Sequence, residues 1–238
     1  MSGLTPDQKR QYDQDGFTVL HGLLSAQECD GLIEHMMDLQ RGRKTLEGFK
    51  PRQPEDWSRT HNQHFYDPVA MDVLVDPRLR QPLEDCFEDE VDGIQTMYFY
   101  KGSEQRRHQD QYYLPGCMSA WIALQDVSPV NGTIFVQPGS QKGRLVTRES
   151  LRQPGQELPP LFGAHYDDAV DALYAQHGVC EVPVVVSKGD VVLFDGVLIH
   201  RGGPITDPAS FRNVMANHYI PRHFTGWPFE NWPRIPMK

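Results

Sequence analysis

The pattern of apolar and polar positions divides the chain near residue 90, and helical spacing dominates the first part. Thr5-Pro6-Asp7-Gln8 and Ser25-Ala26-Gln27-Glu28 each place a hydroxyl residue three positions before Gln or Glu, the capping-box pattern of a helix start. We therefore predict one helix that ends near Gly16. A second helix should run to about Gln40, with a buried face formed by Cys29, Leu32, Ile33 and Met36.

Three further segments complete the predicted N-terminal part. Phe17–Leu20 is a short apolar run typical of a strand. Residues 41–62 are polar, carry two prolines and indicate a loop that folds over another part of the molecule. Pro68 to Phe87 should hold a shorter helical stretch.

From Ile94 onward the pattern changes to short β-branched and aromatic runs separated by Gly, Pro, Asn and Asp. Asn131-Gly132 predicts a hairpin turn, and Ser187–Asp190 predicts a tight turn. Thr147 to Gly178 lacks strand periodicity and should insert near the mouth of the β structure. The predicted strands are Ile94–Tyr100, Met118–Gln125, Thr133–Gln137, Val182–Val186, Val191–Phe194, Val197–His200 and Arg212–Ile220.

Many short strands without helices between them indicate a mainly β fold, either a sandwich or a jelly roll. A chain of 238 residues fits one such domain, with a helical part over about 1–90 and a β core over about 94–220. The formal net charge of -9 argues against a nucleic-acid partner, which would need a cationic face.

The remaining composition limits where the protein works. No apolar run approaches the length of a membrane span, and the N-terminus is polar from its first residues. The four cysteines are far apart in sequence and include no C-x-x-C pair, which favours reduced thiols in a cytosolic protein. We therefore expect a cytoplasmic protein without a membrane partner. The sequence gives no signal for the oligomeric state.

Candidate chemistry centres on His108-Gln109-Asp110, followed ninety residues after the aspartate by His200. Two imidazoles and one carboxylate can bind one face of a metal and leave three positions open. That is the ligand set of non-haem Fe(II) oxygenases, so these residues are both the candidate catalytic residues and the candidate metal ligands.

A second His-x-Asp, His165-Tyr166-Asp167, shows that the short motif alone is weak evidence. His108 closely follows one predicted strand and precedes another, whereas His165 lies in the polar insertion, where no strand would hold a ligand in place. We therefore assign the metal site to the first motif.

Arg212 follows His200 by twelve residues and should point inward. Strand alternation places it on the same face as Val214, Ala216 and His218. An inward arginine needs an anionic partner, and its planar fork suits the distal carboxylate of a dicarboxylic cosubstrate.

At this point the chain resembles the phytanoyl-CoA dioxygenase-like branch of the Fe(II)/2-oxoglutarate oxygenases, which includes the ectoine hydroxylases. The similarity runs from about Gly16 to Ile220. It is carried by Ile94–Lys101, by His108–Asp110, by Ala120–Leu124 leading to Asn131-Gly132 and Pro138–Ser140, and by Gly189–Arg212. The resemblance implies a double-stranded β-helix of the cupin type, with flanking N-terminal helices and iron at one open end.

The resemblance also implies roles for particular residues. His108, Asp110 and His200 match the iron ligands, and Arg212 matches the residue that binds 2-oxoglutarate, with Gln95 and Trp121 as further groups around this cosubstrate. Two positions depart from the family pattern: Arg107 replaces a frequent aromatic residue, and Gly202 replaces a hydroxyl residue that can assist 2-oxoglutarate.

The function implied is O2-dependent hydroxylation of a small-molecule metabolite, with 2-oxoglutarate converted to succinate and CO2. A carboxylate at Asp110 favours hydroxylation, because related halogenases have a small residue there. The alternatives are a metal-binding jelly-roll isomerase or hydrolase and a non-catalytic binding module, neither of which explains an inward Arg212.

The substrate prediction rests on residues near the metal motif and in the N-terminal loop. Asn62, His64, Tyr112 and Arg107 are the candidate substrate contacts. The basic residues in these two regions form either a collar for an anionic substrate or a solvated rim. They are Arg43, Lys44, Arg52, Arg59, Lys101, Arg106 and Arg107.

Overall fold

Both predicted capping boxes form in the computed structural model, which describes residues 3–102, 104–207 and 209–238. Helix α1 spans Pro6–Asp15, and α2 spans Ala26–Gln40. The single helical stretch expected over Pro68–Phe87 is instead two helices, α3 (Pro68–Leu74) and α4 (Pro77–Phe87). The break occurs because the Asp76 side chain accepts a hydrogen bond from the backbone N–H of Arg78 and so caps a new helix start.

The strands form two antiparallel sheets. They are β1 Phe17–Leu20, β2 Arg59–His61, β3 Val91–Phe99, β4 Gln105–His108, β5 Met118–Ala123, β6 Ile134–Val136, β7 Val182–Pro183, β8 Val191–Asp195, β9 His200–Gly202, β10 Val214–Pro221 and β11 Ile235–Pro236. The larger sheet has the order β1-β8-β5-β10-β3-β11, with β2 also paired to β3, and the smaller sheet has the order β4-β9-β6-β7. Together they form the double-stranded β-helix that the family resemblance implied.

The larger sheet is covered on both faces, which explains its almost continuous burial. On its outer face, residues such as Ile122 and Met215 belong to one apolar cluster with helix residues such as Leu79 of α4. On its inner face, residues such as Phe99 belong to a second cluster with residues of the smaller sheet such as Val136. The core therefore lies on either side of β3, β5, β8 and β10, and the open space between the two sheets is left for a site.

Several local predictions were wrong, each for a tertiary reason. Asn131-Gly132 forms a turn, but it connects strands of different sheets and is not a hairpin. Val197–Ile199 is not a strand, because Asp195 accepts hydrogen bonds in a turn, and His200 begins β9 rather than ending a strand. Arg212 lies just before β10. The turn at Ser187–Asp190 is confirmed by an Asp190 N–H to Ser187 carbonyl bond of 3.0 Å.

The insertion over Thr147–Gly178 lacks strands, as predicted, but it contains two helices. These are α5 (Arg148–Leu151) and α6 (Ala164–His177). Helix α6 packs beside β4, where Tyr166 is buried against the His108–Asp110 segment. No helix in the described ranges is long and apolar enough to cross a membrane.

Candidate metal centre

His108, Asp110 and His200 come together in the space between the two sheets, and all three are buried. Their ligand atoms all lie within 4.8 Å of one another. The antiparallel pairing of β4 with β9 sets His108 directly opposite His200, with ring centroids 4.1 Å apart. Oδ1 of Asp110 lies 3.5 Å from Nε2 of His108 and 3.6 Å from Nε2 of His200.

Gln109, between the two ligands of the motif, fixes their relative position. Its side chain is fully buried, and Nε2 donates to the carbonyls of Arg144 (3.1 Å) and Val197 (2.8 Å). Its Oε1 accepts from the backbone N–H of Val146 at 2.9 Å. Two of these bonds join the motif to residues 144–146, and the third joins it to the turn that leads into β9, so His108, Asp110 and His200 are connected by one network.

The two imidazoles are oriented for metal binding. Nδ1 of His108 lies 2.8 Å from the Arg106 carbonyl, and Nδ1 of His200 lies 3.0 Å from the Leu198 carbonyl. A carbonyl can only accept, so each Nδ1 carries the proton and each Nε2 has a free lone pair facing Asp110. Burial and the neighbouring His108 lower the pKa of His200 to about 4, which keeps its ring neutral near pH 7. The residues present therefore fit a divalent iron ion.

Asp110 has further partners that the sequence did not reveal. Ser119 donates to its Oδ2 at 2.7 Å, and Nε2 of His218 lies 3.4 Å from the same oxygen. Burial raises the pKa of Asp110, but His200 and the other imidazoles outweigh burial and hold the pKa well below its usual range. The carboxylate is thus ionised, with Oδ1 facing the two ligand histidines and Oδ2 held by Ser119. The only sequence signal was the alternation that pointed His218 inward.

A cavity of about 430 Å³, including its mouth, opens from the three ligands towards Arg212. The Arg212 side chain is 2% exposed and donates from Nη1 to the Gly132 carbonyl. Its Nε has no hydrogen-bond partner among the described residues, and burial lowers the pKa of the guanidinium to about 10. The guanidinium carbon lies 5.6 Å from the ring centroids of both Phe99 and Trp121. The arrangement is a buried cation with free donors beside a metal site.

A second, wider cavity is also lined by His108 and Asp110 and measures about 890 Å³ with its mouth. His108, Asp110 and His218 line both cavities, so the candidate metal position lies between the two. Gln95 lines only the outer cavity, and Trp121 lines only the inner one. Arg59 on β2 also lines the outer cavity, where it donates to Oε1 of Gln105 at 3.3 Å.

The four residues predicted to contact substrate do not line either cavity. Tyr112 stacks on Tyr166 with centroids 3.7 Å apart, and His64 is buried with Nδ1 3.0 Å from the Thr96 hydroxyl. Asn62, before His64, adopts a left-handed backbone conformation in the turn that follows β2. Arg107 points to α6 and β7, where it is ion-paired to Asp171 and Glu181. The adjacent residues His61 and Tyr113 line the outer cavity instead, because strand and turn geometry reverses the direction of adjacent side chains.

The second His-x-Asp motif is separated from the candidate metal position. His165 and Asp167 lie on the first turns of α6, so the expected lack of a rigid frame was wrong. Asp167 forms an ion pair with Arg106 at 3.2 Å, and Nε2 of His165 lies 2.9 Å from the Pro160 carbonyl. Within the described ranges they do not join a group of three metal-binding side chains.

Known proteins resemble this chain over nearly its whole length. The family model described as phytanoyl-CoA dioxygenase matches residues 12–214. A phytanoyl-CoA dioxygenase domain-containing protein 1 from Danio rerio is 27% identical over 98% of this chain and 95% of the relative. Phytanoyl-CoA dioxygenase 1 from Oryza sativa subsp. japonica is 25% identical over 96% and 93%.

Solved structures show the same fold. EctD from S. alaskensis superposes with a TM-score of 0.70 at 24% identity, covering 92% of this chain and 77% of the other. HygX from Streptomyces hygroscopicus, solved with nickel and 2-oxoglutarate bound, has a TM-score of 0.67 at 19% identity over 95% and 90%. The chain belongs to the phytanoyl-CoA dioxygenase family and is an Fe(II)- and 2-oxoglutarate-dependent oxygenase.

Proposed function

We propose that the protein hydroxylates a small-molecule metabolite and releases succinate and CO2 from 2-oxoglutarate. The observation that carries the proposal is the cluster of His108, Asp110 and His200 in the cavity that contains the buried Arg212, with His108 and Asp110 also lining a second, outer cavity. Membership of an oxygenase family decides against the isomerase, hydrolase and non-catalytic alternatives.

His108, Asp110 and His200 are proposed to hold the iron on one face. Bound iron would bind O2 and 2-oxoglutarate together and supply the oxidising chemistry. The protein contributes orientation: backbone carbonyls fix both imidazoles, and Ser119 holds the oxygen of Asp110 that faces away from the ligand histidines. The Asp110 carboxylate also occupies a ligand position, which favours hydroxylation over halogenation.

Arg212 is proposed to bind the distal carboxylate of 2-oxoglutarate in the inner cavity. Its unpartnered Nε and its burial support this role, because a buried guanidinium is stabilised by an anion that accepts two parallel bonds. Trp121 would form the wall beside the cosubstrate. Gln95 faces the outer cavity, so its proposed contact is at the metal end of 2-oxoglutarate.

The substrate is proposed to enter the outer cavity, and an anionic substrate fits its charges. Arg59 is half-buried there, and burial lowers the pKa of its guanidinium. Asp110 is the single carboxylate among the described residues that line this cavity. An anion would therefore meet a cation and no acidic wall apart from the metal ligand.

We also propose that the chain acts as one catalytic domain in the cytoplasm. All four cysteines carry free thiols in the fold, which supports a reducing compartment. The single domain and the cytoplasmic location are both proposed independently of the substrate.

The test is release of succinate from 2-oxoglutarate by the iron-loaded protein in air, with and without a metabolite library. We expect substrate-stimulated succinate and a product heavier by one oxygen atom. His200→Ala should abolish both and weaken Mn(II) binding, since it removes one of three ligands. Succinate release without an oxygenated product from any compound would contradict the hydroxylase, and unchanged metal affinity in His200→Ala would contradict the ligand assignment.

A further inference from the structure

The wall of the outer cavity contains aromatic side chains from three separate segments. Tyr113 follows the metal motif, Phe162 precedes α6, and Phe229 and Trp232 come from the C-terminal segment. Phe229 and Trp232 lie beyond residues 12–214 matched by the family model. This part of the wall therefore stands outside the segment that defines the shared chemistry.

The C-terminal part of the wall is held rigidly. The indole N–H of Trp232 donates to the Ile94 carbonyl of β3, and that of Trp227 donates to the Trp232 carbonyl at 3.3 Å. Arg234 ties the segment together through a bond to Asp92 at 3.1 Å and bonds to the carbonyls of Pro221, Arg222 and Phe224. Trp232 is thus positioned by strand β3, the same strand that carries Gln95 into the cavity.

Another part of the wall exposes a large aromatic ring. Phe162 is 70% exposed, and its ring is stacked on Tyr113 with centroids 5.6 Å apart and an interplanar angle of 27°. Its neighbour Leu161 is 37% exposed and lines the same cavity. Exposed apolar surface at a cavity mouth is typical of a binding site that a ligand covers.

We propose that the substrate is a small monoanion with a flat, aromatic ring body. The inference rests on the proposed hydroxylation of a small molecule and assigns its chemical class. The ring would pack against the aromatic side chains that line this cavity, Tyr113, Phe162, Phe229 and Trp232, because aromatic rings prefer offset or edge contacts over open water. Its anionic group would face Arg59.

Matched probe acids test the ring part of the proposal without turnover. We would titrate the Mn(II)- and 2-oxoglutarate-loaded protein with 2-naphthoate and with decahydro-2-naphthoate, which has the same carbon skeleton but is not flat. Isothermal titration calorimetry should show 2-naphthoate binding about 10-fold more tightly. The amine 2-naphthylmethylamine reverses the charge and should bind at least about 10-fold more weakly than 2-naphthoate.

Variants locate the site. Phe162→Leu and Trp232→Leu should each weaken 2-naphthoate binding by about 3-fold or more and change decahydro-2-naphthoate binding by less than about 2-fold. Phe65→Leu is the matched control, because Phe65 is also exposed but does not line the cavity. Phe162 is on the surface, so its variant should fold even if Trp232→Leu does not.

The proposed aromatic ring of the substrate would be overturned by equal affinity for the two acids or by no binding of either acid. Equal effects of Phe162→Leu and Phe65→Leu would overturn its placement against the aromatic wall of the outer cavity. Tighter binding of the amine would overturn the anionic class, and an unchanged 2-naphthoate affinity in Arg59→Gln would overturn the role of Arg59. Metal binding and succinate release are measured separately, so these results do not depend on whether the hydroxylase proposal holds.

Discussion

Replacing Arg212 with alanine should selectively destroy the affinity for 2-oxoglutarate. The guanidinium is 2% exposed, donates to the Gly132 carbonyl, and has an Nε without a partner among the described residues. A carboxylate bound in the inner cavity would accept a hydrogen bond from this Nε in a largely buried environment. The variant leaves this carboxylate without its cation while His108, Asp110 and His200 remain unchanged.

Two lines of reasoning give a similar magnitude for the loss. Breaking a buried ion pair by removing one partner costs about 3 kcal/mol or more. Burial also lowers the pKa of the Arg212 guanidinium to about 10, because its charged form is poorly solvated there, and an anionic partner would offset a desolvation cost of about 3 kcal/mol. The expected rise in the dissociation constant of 2-oxoglutarate is therefore about 100-fold or greater.

Calorimetric titration of 2-oxoglutarate into the Mn(II)-loaded protein measures this loss directly. Mn(II) affinity should be unchanged, and Arg212→Lys should recover only part of the loss, because an ammonium group cannot donate the two parallel, coplanar hydrogen bonds of a guanidinium. Arg78→Ala is the control, since Arg78 is ion-paired to Asp76 and Glu28 and does not line the cavity. An unchanged 2-oxoglutarate affinity in Arg212→Ala would refute the cosubstrate role.

Three further predictions concern the frame around the site. The double variant His165→Ala, Asp167→Ala should keep its metal affinity and most of its activity. Loss of metal binding in this variant would show that the second motif, and not His108–Asp110, binds the metal. Gln109→Leu should lower the free energy of unfolding by about 2–4 kcal/mol in urea titrations, because three buried hydrogen bonds are lost. The same variant should weaken Mn(II) binding about 10-fold or more. A metal affinity equal to that of the wild type would show that the network does not position the metal-binding side chains. Burial lowers the pKa of His64 to about 4, so the unfolded chain binds a proton below pH 6.5 that the folded protein refuses. The free energy of unfolding of the metal-free protein should fall between pH 6.5 and 4, and His64→Gln should reduce that slope; an identical slope in the variant would contradict the assignment.

The sequence by itself determined the type of fold and the residues that are candidates for the metal and cosubstrate site. The two capping boxes and the change of period near residue 90 are local signals, and both were confirmed. Most of the short β-branched runs also form strands, but Val197–Ile199 does not. His-x-Asp, the distant histidine and an inward arginine could be selected as candidates because the chemistry of an iron site restricts which residue types can form it.

The tertiary structure decided which side chains meet. Register between β5 and β10 places Ser119 opposite His218, and both reach the far oxygen of Asp110, which no spacing in the sequence reveals. Arg107 is adjacent to a ligand, yet α6 supplies Asp171 and draws it away from the cavity. Pairing between strands remote in sequence also brings the C-terminal Trp232 to the cavity mouth. Such contacts depend on how the strands are paired. A shift of one residue in the pairing changes every cross-strand partner and turns every side chain to the other face of the sheet, so only the assembled sheets fix these contacts.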